Sequence, residues 1–252
     1  MYTEAELQGL EALQEASTVS GLADRLGRSR SYVSELVARM ESKGLVHTSR
    51  EGKQKQINRS DARAIELCDK FVQQYTHIPC PELLGGATLR IVFYLQSPAT
   101  TTQLAEQANV HRSTVHRSLS PLENRGILYK SDGEYTLNDE FEGLSMLARE
   151  FAHVRHRQRV EDHAESFTIL WDSLDEFLVQ TRVEIEREAF HLTGPELFQK
   201  FDLPLMARQR RYYLYSESID NISPAELCCH MLVIDDGTRS QSYCLLLISE
   251  TG

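Results

Sequence analysis

Two stretches of the chain carry the same pattern of apolar and polar positions, displaced by 82 residues. The first covers residues 17–58 and the second covers residues 99–138. Equivalent positions hold the same residues in many places, among them Leu22 and Leu104, Arg30 and Arg112, Val33 and Val115, and Gly44 and Gly126. A repeated pattern of this length indicates a repeated fold unit, so the chain is expected to contain one small domain twice.

The first repeat predicts three helices and then a β-hairpin. Ser29 is a favourable N-cap for the third helix, and Gly44 stands where a glycine usually ends one. That helix buries one apolar stripe, formed by Val33, Leu36, Val37 and Met40. The predicted elements are helices over 4–14, from Ser17 or Thr18 to Leu26, and over 31–43, with strands over 45–50 and 55–57 around a turn at 51–53.

The second repeat predicts the same order of elements. Asp132-Gly133 between two short apolar-polar runs is a strong hairpin signal. Its third helix is expected to bury Val115, Leu119 and Leu122, with Pro121 inside it. The predicted elements are helices over 89–95, 101–108 and 112–124, and strands over 127–130 and 134–137.

The remaining chain predicts helical connections and a different C-terminal domain. Residues 139–182 contain no proline, and we predict that they are mostly helical. The apolar stripe of this segment either packs on the C-terminal domain or forms a dimer interface; it consists of Phe167, Leu170, Trp171, Leu174, Phe177 and Leu178. Its basic run over 155–159 either lies along DNA or pairs with acidic residues that follow it.

The sequence of the C-terminal domain predicts a mixture of strands and helices. Ser223 followed by Pro224 is typical of a helix start. The predicted strands cover 189–192, 211–215 and 242–249, and the predicted helices cover 196–201 and 224–234. The predicted fold class of the whole chain is mainly α with α+β parts. The predicted divisions are a first domain over 1–60, a linker helix over 61–80 and a second domain over 81–138. They are followed by a helical connector over 139–182 that serves in dimerisation and by an α/β sensor or assembly domain over 183–252.

The net charge of −10 is unevenly distributed along the 252 residues. Residues 1–160 hold 20 basic and 20 acidic side chains, whereas residues 161–252 hold 7 basic and 17 acidic ones. Residues 25–59 alone carry nine basic side chains against three acidic ones. Phosphate binding depends on where positive charge lies rather than on the sum, so the first repeat is compatible with DNA and the acidic third is not.

The helix-turn-helix segments resemble a known class of regulators. LADRLGRSRSYVSELVARMESKGLV and LAEQANVHRSTVHRSLSPLENRGIL are similar to the winged-helix core of MarR-like and related archaeal transcriptional regulators. This resemblance implies that the third helix of each unit enters a major groove of double-stranded DNA and that the hairpin, or wing, contacts the backbone. It also implies a homodimer on a palindromic site.

The residues expected to contact DNA follow from the exposed face of each third helix and from the basic wing. Arg30 and Ser31 lie at a helix N-terminus, which favours phosphate, while Tyr32, Ser34 and Arg39 are placed to reach base edges or backbone. The second wing has an acidic tip, Pro121 lies inside the third helix of this repeat, and its positive charge is lower, so the first repeat is expected to be the stronger DNA reader. The candidate residues are Arg30, Ser31, Tyr32, Ser34, Arg39, Arg50, Lys53 and Lys55 in the first repeat and Arg112, Ser113, Thr114, His116 and Arg117 in the second.

The C-terminal domain is similar to the abortive-infection antitoxin regulators and to nucleotidyltransferase-like domains, in the stretches TGPELFQKFDLPL and ISPAELCCHMLVID. An active nucleotidyltransferase needs a Gly-Ser followed by paired carboxylates for two metals, and we find no such motif. Asp235 and Asp236 are adjacent and precede a turn glycine, so they are interpreted as a polar turn. We therefore predict no catalytic residues, no cofactor and no enzyme activity.

The five cysteines form no CxxC pair, and their odd number opposes a disulfide framework. Cys228, Cys229 and Cys244 either sense metal or redox state or, as we favour, are small buried residues of one helix and one strand. No metal site is predicted. The chain shows neither a signal peptide nor an apolar stretch of about 20 residues, so a cytoplasmic protein without membrane contact is expected.

Three functions remain open from the sequence. The first is a sequence-specific transcription regulator, controlled by a small molecule or a protein at the C-terminal domain. The second is an antitoxin-like autoregulator that binds a partner protein through residues 183–252. The third is a nucleotide-transfer enzyme with DNA-binding domains.

Overall fold

The computed structural model describes residues 1–13, 17–52, 54–203, 205 and 209–251. The chain divides into two compact units, an N-terminal unit of residues 1–158 and a C-terminal unit of residues 159–252. Helices and small antiparallel sheets occur in both, so the chain is of the mixed α+β class. Of the helices in the described ranges, none combines the length and apolarity needed to cross a membrane.

The first repeat contains three helices and a three-stranded sheet. Thr18 caps the second helix by accepting a hydrogen bond from the Gly21 N–H at 3.1 Å, and Gly27 ends it with φ +62°. A short strand before that helix pairs with the hairpin, which gives the sheet order β1-β3-β2. The elements are α1 (Glu4–Ala12), β1 (Ser17–Thr18), α2 (Val19–Leu26), α3 (Arg30–Glu41), β2 (Val46–Glu51) and β3 (Gln54–Arg59).

The second repeat has the same order of elements, which confirms the predicted repetition at the level of local structure. Thr100 caps the helix equivalent to α2 through a capping box with Gln103. The sheet order is β4-β6-β5, the counterpart of the first sheet. The elements from residue 63 onward are α4 (Arg63–Gln74), α5 (Cys80–Leu84), α6 (Ala87–Val92), β4 (Ala99–Thr100), α7 (Thr101–Gln107), α8 (Arg112–Glu123), β5 (Leu128–Ser131) and β6 (Glu134–Leu137).

A 3₁₀ helix (Asp139–Phe141) leads into α9 (Gly143–Glu161), and α9 contains the boundary between the two units. Within the N-terminal unit, Phe151 of α9 packs on the fully buried Tyr2, with ring centroids 5.0 Å apart. The Tyr2 hydroxyl lies 3.0 Å from the carbonyl oxygen of Lys43 and 3.1 Å from that of Phe151. The first residues of the chain therefore join the end of α3 to α9.

The C-terminal unit is a four-stranded antiparallel sheet with helices. Its strand order is β7-β8-β10-β9. One core packs Phe177, Phe190 and Tyr215, and a second core packs Phe198 and Leu247 between helices. The elements are β7 (Phe167–Asp172), β8 (Phe177–Thr181), β9 (Phe190–Thr193), a 3₁₀ helix (Gly194–Phe201), β10 (Arg211–Tyr215), α10 (Pro224–Ile234) and α11 (Thr238–Thr251).

The prediction of a helical connector over 139–182 is wrong beyond Glu161, where β7 and β8 follow. The register of β7 against β8 shifts between Ile169 and Trp171, so a bulge interrupts the alternation of sides. Phe177 and Leu178 are consecutive and both buried, because both faces of β8 are covered. The bulge in β7 and the burial of both faces of β8 thus produce a spacing of apolar residues that resembles the apolar stripe of a helix.

The predicted strand over 242–249 is also wrong, since these residues belong to α11. The buried positions are Ser240, Cys244 and Leu247, at helical spacings of four and three residues. Leu245 and Leu246 are exposed. The run of adjacent apolar residues therefore reflects one buried and one exposed face of a helix, which periodicity in a short apolar run does not distinguish from a strand.

Candidate nucleic-acid interface

The third helix of the first repeat, α3, separates an apolar face from a polar one. Ser29 caps it by accepting a hydrogen bond from the Tyr32 N–H at 3.3 Å. All four predicted core residues of this helix are fully buried, namely Val33, Leu36, Val37 and Met40. The predicted contact residues of the helix are all exposed, namely Arg30, Ser31, Tyr32, Ser34 and Arg39.

Arg28, which precedes α3, lies beside the exposed face of this helix. The Arg28 guanidinium lies 5.8 Å from the centroid of the Tyr32 ring, within the range of a cation–π contact. The sequence analysis counted Arg28 only as one of several basic residues, because the turn that brings it beside Tyr32 depends on the left-handed Gly27. Arg28 and Tyr32 together form an exposed edge at the start of α3.

Arg39 forms an ion pair with the buried carboxylate of Glu6. Its Nε lies 3.8 Å from Oε1 of Glu6, and its side chain is 46% exposed. Glu6 is fully buried and accepts two hydrogen bonds of 2.8 Å from Lys43 Nζ. The charge of Arg39 is therefore partly balanced within the protein, and its guanidinium is positioned rather than freely mobile.

The first wing places two cations directly opposite each other. Arg50 on β2 is the register partner of Lys55 on β3, so both side chains lie on the same face of the hairpin. Lys55 Nζ also lies 3.7 Å from Glu41 Oε2 at the end of α3. Like charges at opposed positions are unfavourable unless an anion lies between or near them. The third wing residue predicted to contact DNA, Lys53, lies outside the described residues.

The third helix of the second repeat, α8, presents a similar but more restrained face. Val115, Leu119 and Leu122 are buried, as predicted. Thr114 is half-buried, and the other predicted residues are exposed, namely Arg112, Ser113, His116 and Arg117. His111 occupies the N-cap without a side-chain capping bond.

His116 is connected to the second wing. Its Nδ1 lies 3.1 Å from the hydroxyl of Tyr135 on β6, and Tyr135 is almost fully buried. Lys130 Nζ of β5 lies 4.7 Å from the centroid of the same tyrosine ring. Sequence reasoning missed Tyr135, because its alternation with solvent-facing residues indicated only an ordinary strand position. His116 is thus fixed against the wing, which leaves Arg112, Ser113 and Arg117 as the freer members of this face.

The basic run over residues 155–159 does not form an open basic surface. Arg155 is 9% exposed and His156 is fully buried. Arg159 Nη2 lies 3.2 Å from Glu217, and its guanidinium lies 4.5 Å from the centroid of the Tyr215 ring. Of the two expectations for this run, pairing with acidic residues fits Arg159.

Of the three C-terminal cysteines, two are buried in the core and one is exposed. Cys228 of α10 and Cys244 of α11 are buried, and each thiol lies within 3.8 Å of the other residue's carbonyl oxygen. Burial raises the pKa of the Cys244 thiol to about 11, so it stays protonated and unreactive at neutral pH. Cys229 is exposed. The predicted buried role holds for Cys228 and Cys244, whereas the prediction that one of them lies on a strand is wrong.

Comparisons with known proteins match two separate segments of the chain. The HVO_A0261 N-terminal domain family matches residues 90–162, and the HVO_2833 C-terminal family matches residues 187–252; both are haloarchaeal families of unknown function. Each match covers less than half of the chain. A comparison with curated proteins found no match, and a comparison with solved structures found none either. The chain is therefore similar to haloarchaeal families in these two segments, and the MarR-like resemblance remains a proposal.

Proposed function

We propose that this chain is a cytoplasmic, sequence-specific transcription regulator that binds double-stranded DNA through two winged-helix domains and acts as a homodimer. The observation that carries the proposal is that the first repeat combines an exposed polar and basic helix face with a basic hairpin. The hairpin that follows α3 carries Arg50 and Lys55 at opposed positions. A helix flanked by a basic wing suits a major groove with its adjacent phosphates.

The two winged helices have unequal roles in this proposal. The first wing is basic, while the second ends in Asp132 and Glu134, which repel phosphates. His116 is engaged by Tyr135, so fewer side chains of α8 are available for base contacts. The first repeat therefore provides most of the affinity and the second mainly orients it. No catalytic step is assigned to either unit.

The test measures salt-dependent binding of the full chain to duplexes selected from genomic fragments. Arg50→Gln combined with Lys55→Gln should weaken binding and reduce the slope of log affinity against log salt by about 2, since each phosphate contact contributes roughly 0.9. Lys70→Gln is the control for loss of a positive charge, because Lys70 is exposed on α4 and is not one of the predicted contact residues. Absence of duplex binding at low salt, or an unchanged slope in the double variant, would refute the proposal.

The homodimer is assigned to the exposed apolar surface of α10 and α11, here called the C-terminal apolar face. It consists of Leu232, Val233, Leu245, Leu246 and Ile248, which are 43–69% exposed. Between residues 237 and 249 the only charged side chain is Arg239, although this third of the chain is strongly acidic. A second copy can approach the α11 part of this face with little charge repulsion, whereas the exposed Asp235 and Asp236 follow the α10 part.

The second candidate function is an antitoxin-like autoregulator that covers the same face with a partner protein. Light scattering on the purified full chain separates the two. A dimer that Leu245→Glu converts to a monomer supports the homodimer, and Thr238→Glu at the start of α11 is the control for added charge. A monomeric wild-type chain contradicts the homodimer and favours the partner protein.

A further inference from the structure

The C-terminal unit contains a cavity that the proposed DNA surface does not use. It has a volume of about 390 Å³, within the roughly 300–1,000 Å³ of small-ligand pockets. It opens where the second 3₁₀ helix, the start of β10 and the turn from α10 to α11 meet. The cavity has an apolar floor, formed by Tyr212, Met231 and Ile234, and its lining also contains Tyr243 and the two arginines Arg210 and Arg239.

The apolar wall is held in place by a close backbone approach. Gly194 has φ +70°, and a Cβ on it would lie 3.0 Å from both Ile234 Cδ1 and Tyr212 Cδ2. Only glycine lets the 3₁₀ helix lie this close to both side chains. Met231 is buried and Tyr212 and Ile234 are half-buried, so the floor exists before any ligand arrives.

Two guanidinium groups of this wall have only neutral partners. Arg210 Nη1 donates to Gln180 Oε1 at 3.5 Å, and Arg239 Nε donates to the Tyr243 hydroxyl at 2.6 Å. Within the described ranges neither forms an ion pair, whereas the neighbouring Arg211 lies 3.0 Å from Glu184. A guanidinium binds a carboxylate or phosphate through strong, charge-assisted hydrogen bonds. The cavity therefore presents two cations that lack an anion.

Two carboxylates that line the cavity, Asp235 and Glu196, limit the charge of the anion that the cavity can bind. Asp235 already accepts hydrogen bonds from the Gly237 N–H at 3.2 Å and from Ser240 Oγ at 3.0 Å. Glu196 also lines the cavity, and within the described residues its electrostatic neighbour is Arg211 rather than Arg210 or Arg239. Its negative charge repels a dianionic ligand more strongly than a monoanionic one. A monoanion is consequently favoured over a dianion such as a phosphate monoester.

We propose that this cavity binds a small organic monocarboxylate with an apolar body. The carboxylate lies between Arg210 and Arg239, and the apolar body lies against Tyr212, Met231 and Ile234. Binding itself requires nothing of the N-terminal unit. Only the further statement that this ligand is the effector of DNA binding rests on the proposed function.

The test titrates the full chain with phenylacetate and 4-methylpentanoate by calorimetry and ligand-observed NMR. Phenylacetamide and 4-methylpentanamide serve as neutral analogues of the same shape. At least one carboxylate is expected to bind about tenfold more tightly than its amide, since the amide forgoes the charge-assisted bonds. If neither carboxylate binds, or if carboxylate and amide bind equally, the proposal is overturned.

Variants locate the site. Arg210→Gln and Arg239→Gln should each weaken carboxylate binding about tenfold and leave amide binding unchanged. Arg182→Gln is the matched control, because Arg182 is exposed on the same unit and does not line the cavity. Equal binding by both cavity variants and the wild type would place the ligand elsewhere and reject this site.

A final measurement separates the two proposals. Duplex affinity is determined with and without a saturating amount of the bound carboxylate. A changed affinity assigns the effector role, and an unchanged affinity removes that role while the site stands. A chain that binds the carboxylate but no duplex refutes the proposed function alone.

Discussion

Among single residues, Glu6 links α1 to the end of α3, the helix proposed to contact DNA. Its carboxylate is fully buried, accepts from the Thr3 backbone N–H at 2.8 Å and pairs with Lys43 just beyond α3. It also lies within 3.8 Å of Arg39. Glu6 therefore caps the N-terminus of α1 and also contacts two cations at the end of α3. The sequence predicts that Arg39 contacts DNA, but it carries no signal for the buried carboxylate beside it.

Replacing Glu6 with alanine should destabilise the chain by about 3 kcal/mol, at the lower end of the cost of breaking a buried ion pair because Lys43 remains partly exposed. Urea unfolding of the full chain measures the loss. Glu4→Ala is the control, since Glu4 is exposed on the same helix. Equal losses in the two variants would show that the buried pair has no special role.

At the scale of elements, α10 illustrates how a helix start was predictable while its packing was not. The sequence indicates a start at Ser223-Pro224, and a capping box between Ser223 and Glu226 confirms it. The side chain and backbone N–H of Ser223 donate to that carboxylate and lower the pKa of Glu226. The contact that joins α10 to β9, between His230 Nδ1 and Thr193 Oγ1 at 2.9 Å, pairs residues 37 positions apart and has no local signature.

The burial of His230 at this contact predicts that the stability of the chain depends on pH. Burial lowers the pKa of His230 below 6.5, although Glu226 and Glu176 act in the opposite direction. The folded state thus binds a proton less readily than the unfolded state. Its stability is fully present above about pH 6.5 and declines as the pH falls from there through the folded pKa.

The check compares chemical unfolding of wild type and His230→Gln between pH 7.5 and pH 5.5. The wild type should lose more stability than the variant as the pH is lowered, because glutamine keeps a polar group near Thr193 but does not titrate. His77→Gln, at an exposed histidine of the N-terminal unit, is the control and should retain the wild-type dependence. Parallel curves for wild type and His230→Gln would contradict the assignment.

At the scale of the whole molecule, the uneven charge distribution gives the two units different responses to salt. Residues 161–252 carry ten more acidic than basic side chains, and their mutual repulsion opposes folding of that unit. Salt shortens the Debye length from about 10 Å at 0.1 M to about 3 Å at 1 M and so weakens this repulsion. The same screening is expected to weaken the proposed phosphate contacts at the first repeat.

Raising KCl should therefore increase the thermal unfolding midpoint of the C-terminal unit while it lowers DNA affinity. Calorimetry of the full chain measures the first effect and fluorescence anisotropy the second. Neutralising the exposed Glu186 and Glu188 to glutamine should reduce the dependence of the midpoint on salt. A midpoint that is independent of salt, or equally dependent in this variant, would disprove the repulsion argument.

Features that depend on neighbouring residues could be predicted from the amino-acid sequence alone. Examples are the caps Ser29 and Ser223, the left-handed Gly44 and the buried stripe of α3, because each follows from residues within a few positions. The repetition of the first two domains followed from the same local signals at a constant offset.

Features that depend on packing between distant residues could not be predicted and are visible only in the folded chain. The bulge near Ile169 and the burial of both faces of β8 make strands of residues predicted to be helical, and packing of Cys244 and Leu247 against α10 makes a helix of a predicted strand. The arginine cavity likewise brings together residues from Gln180 to Tyr243. Burial on one or two faces is a property of the assembled core, so a single short apolar run does not specify it.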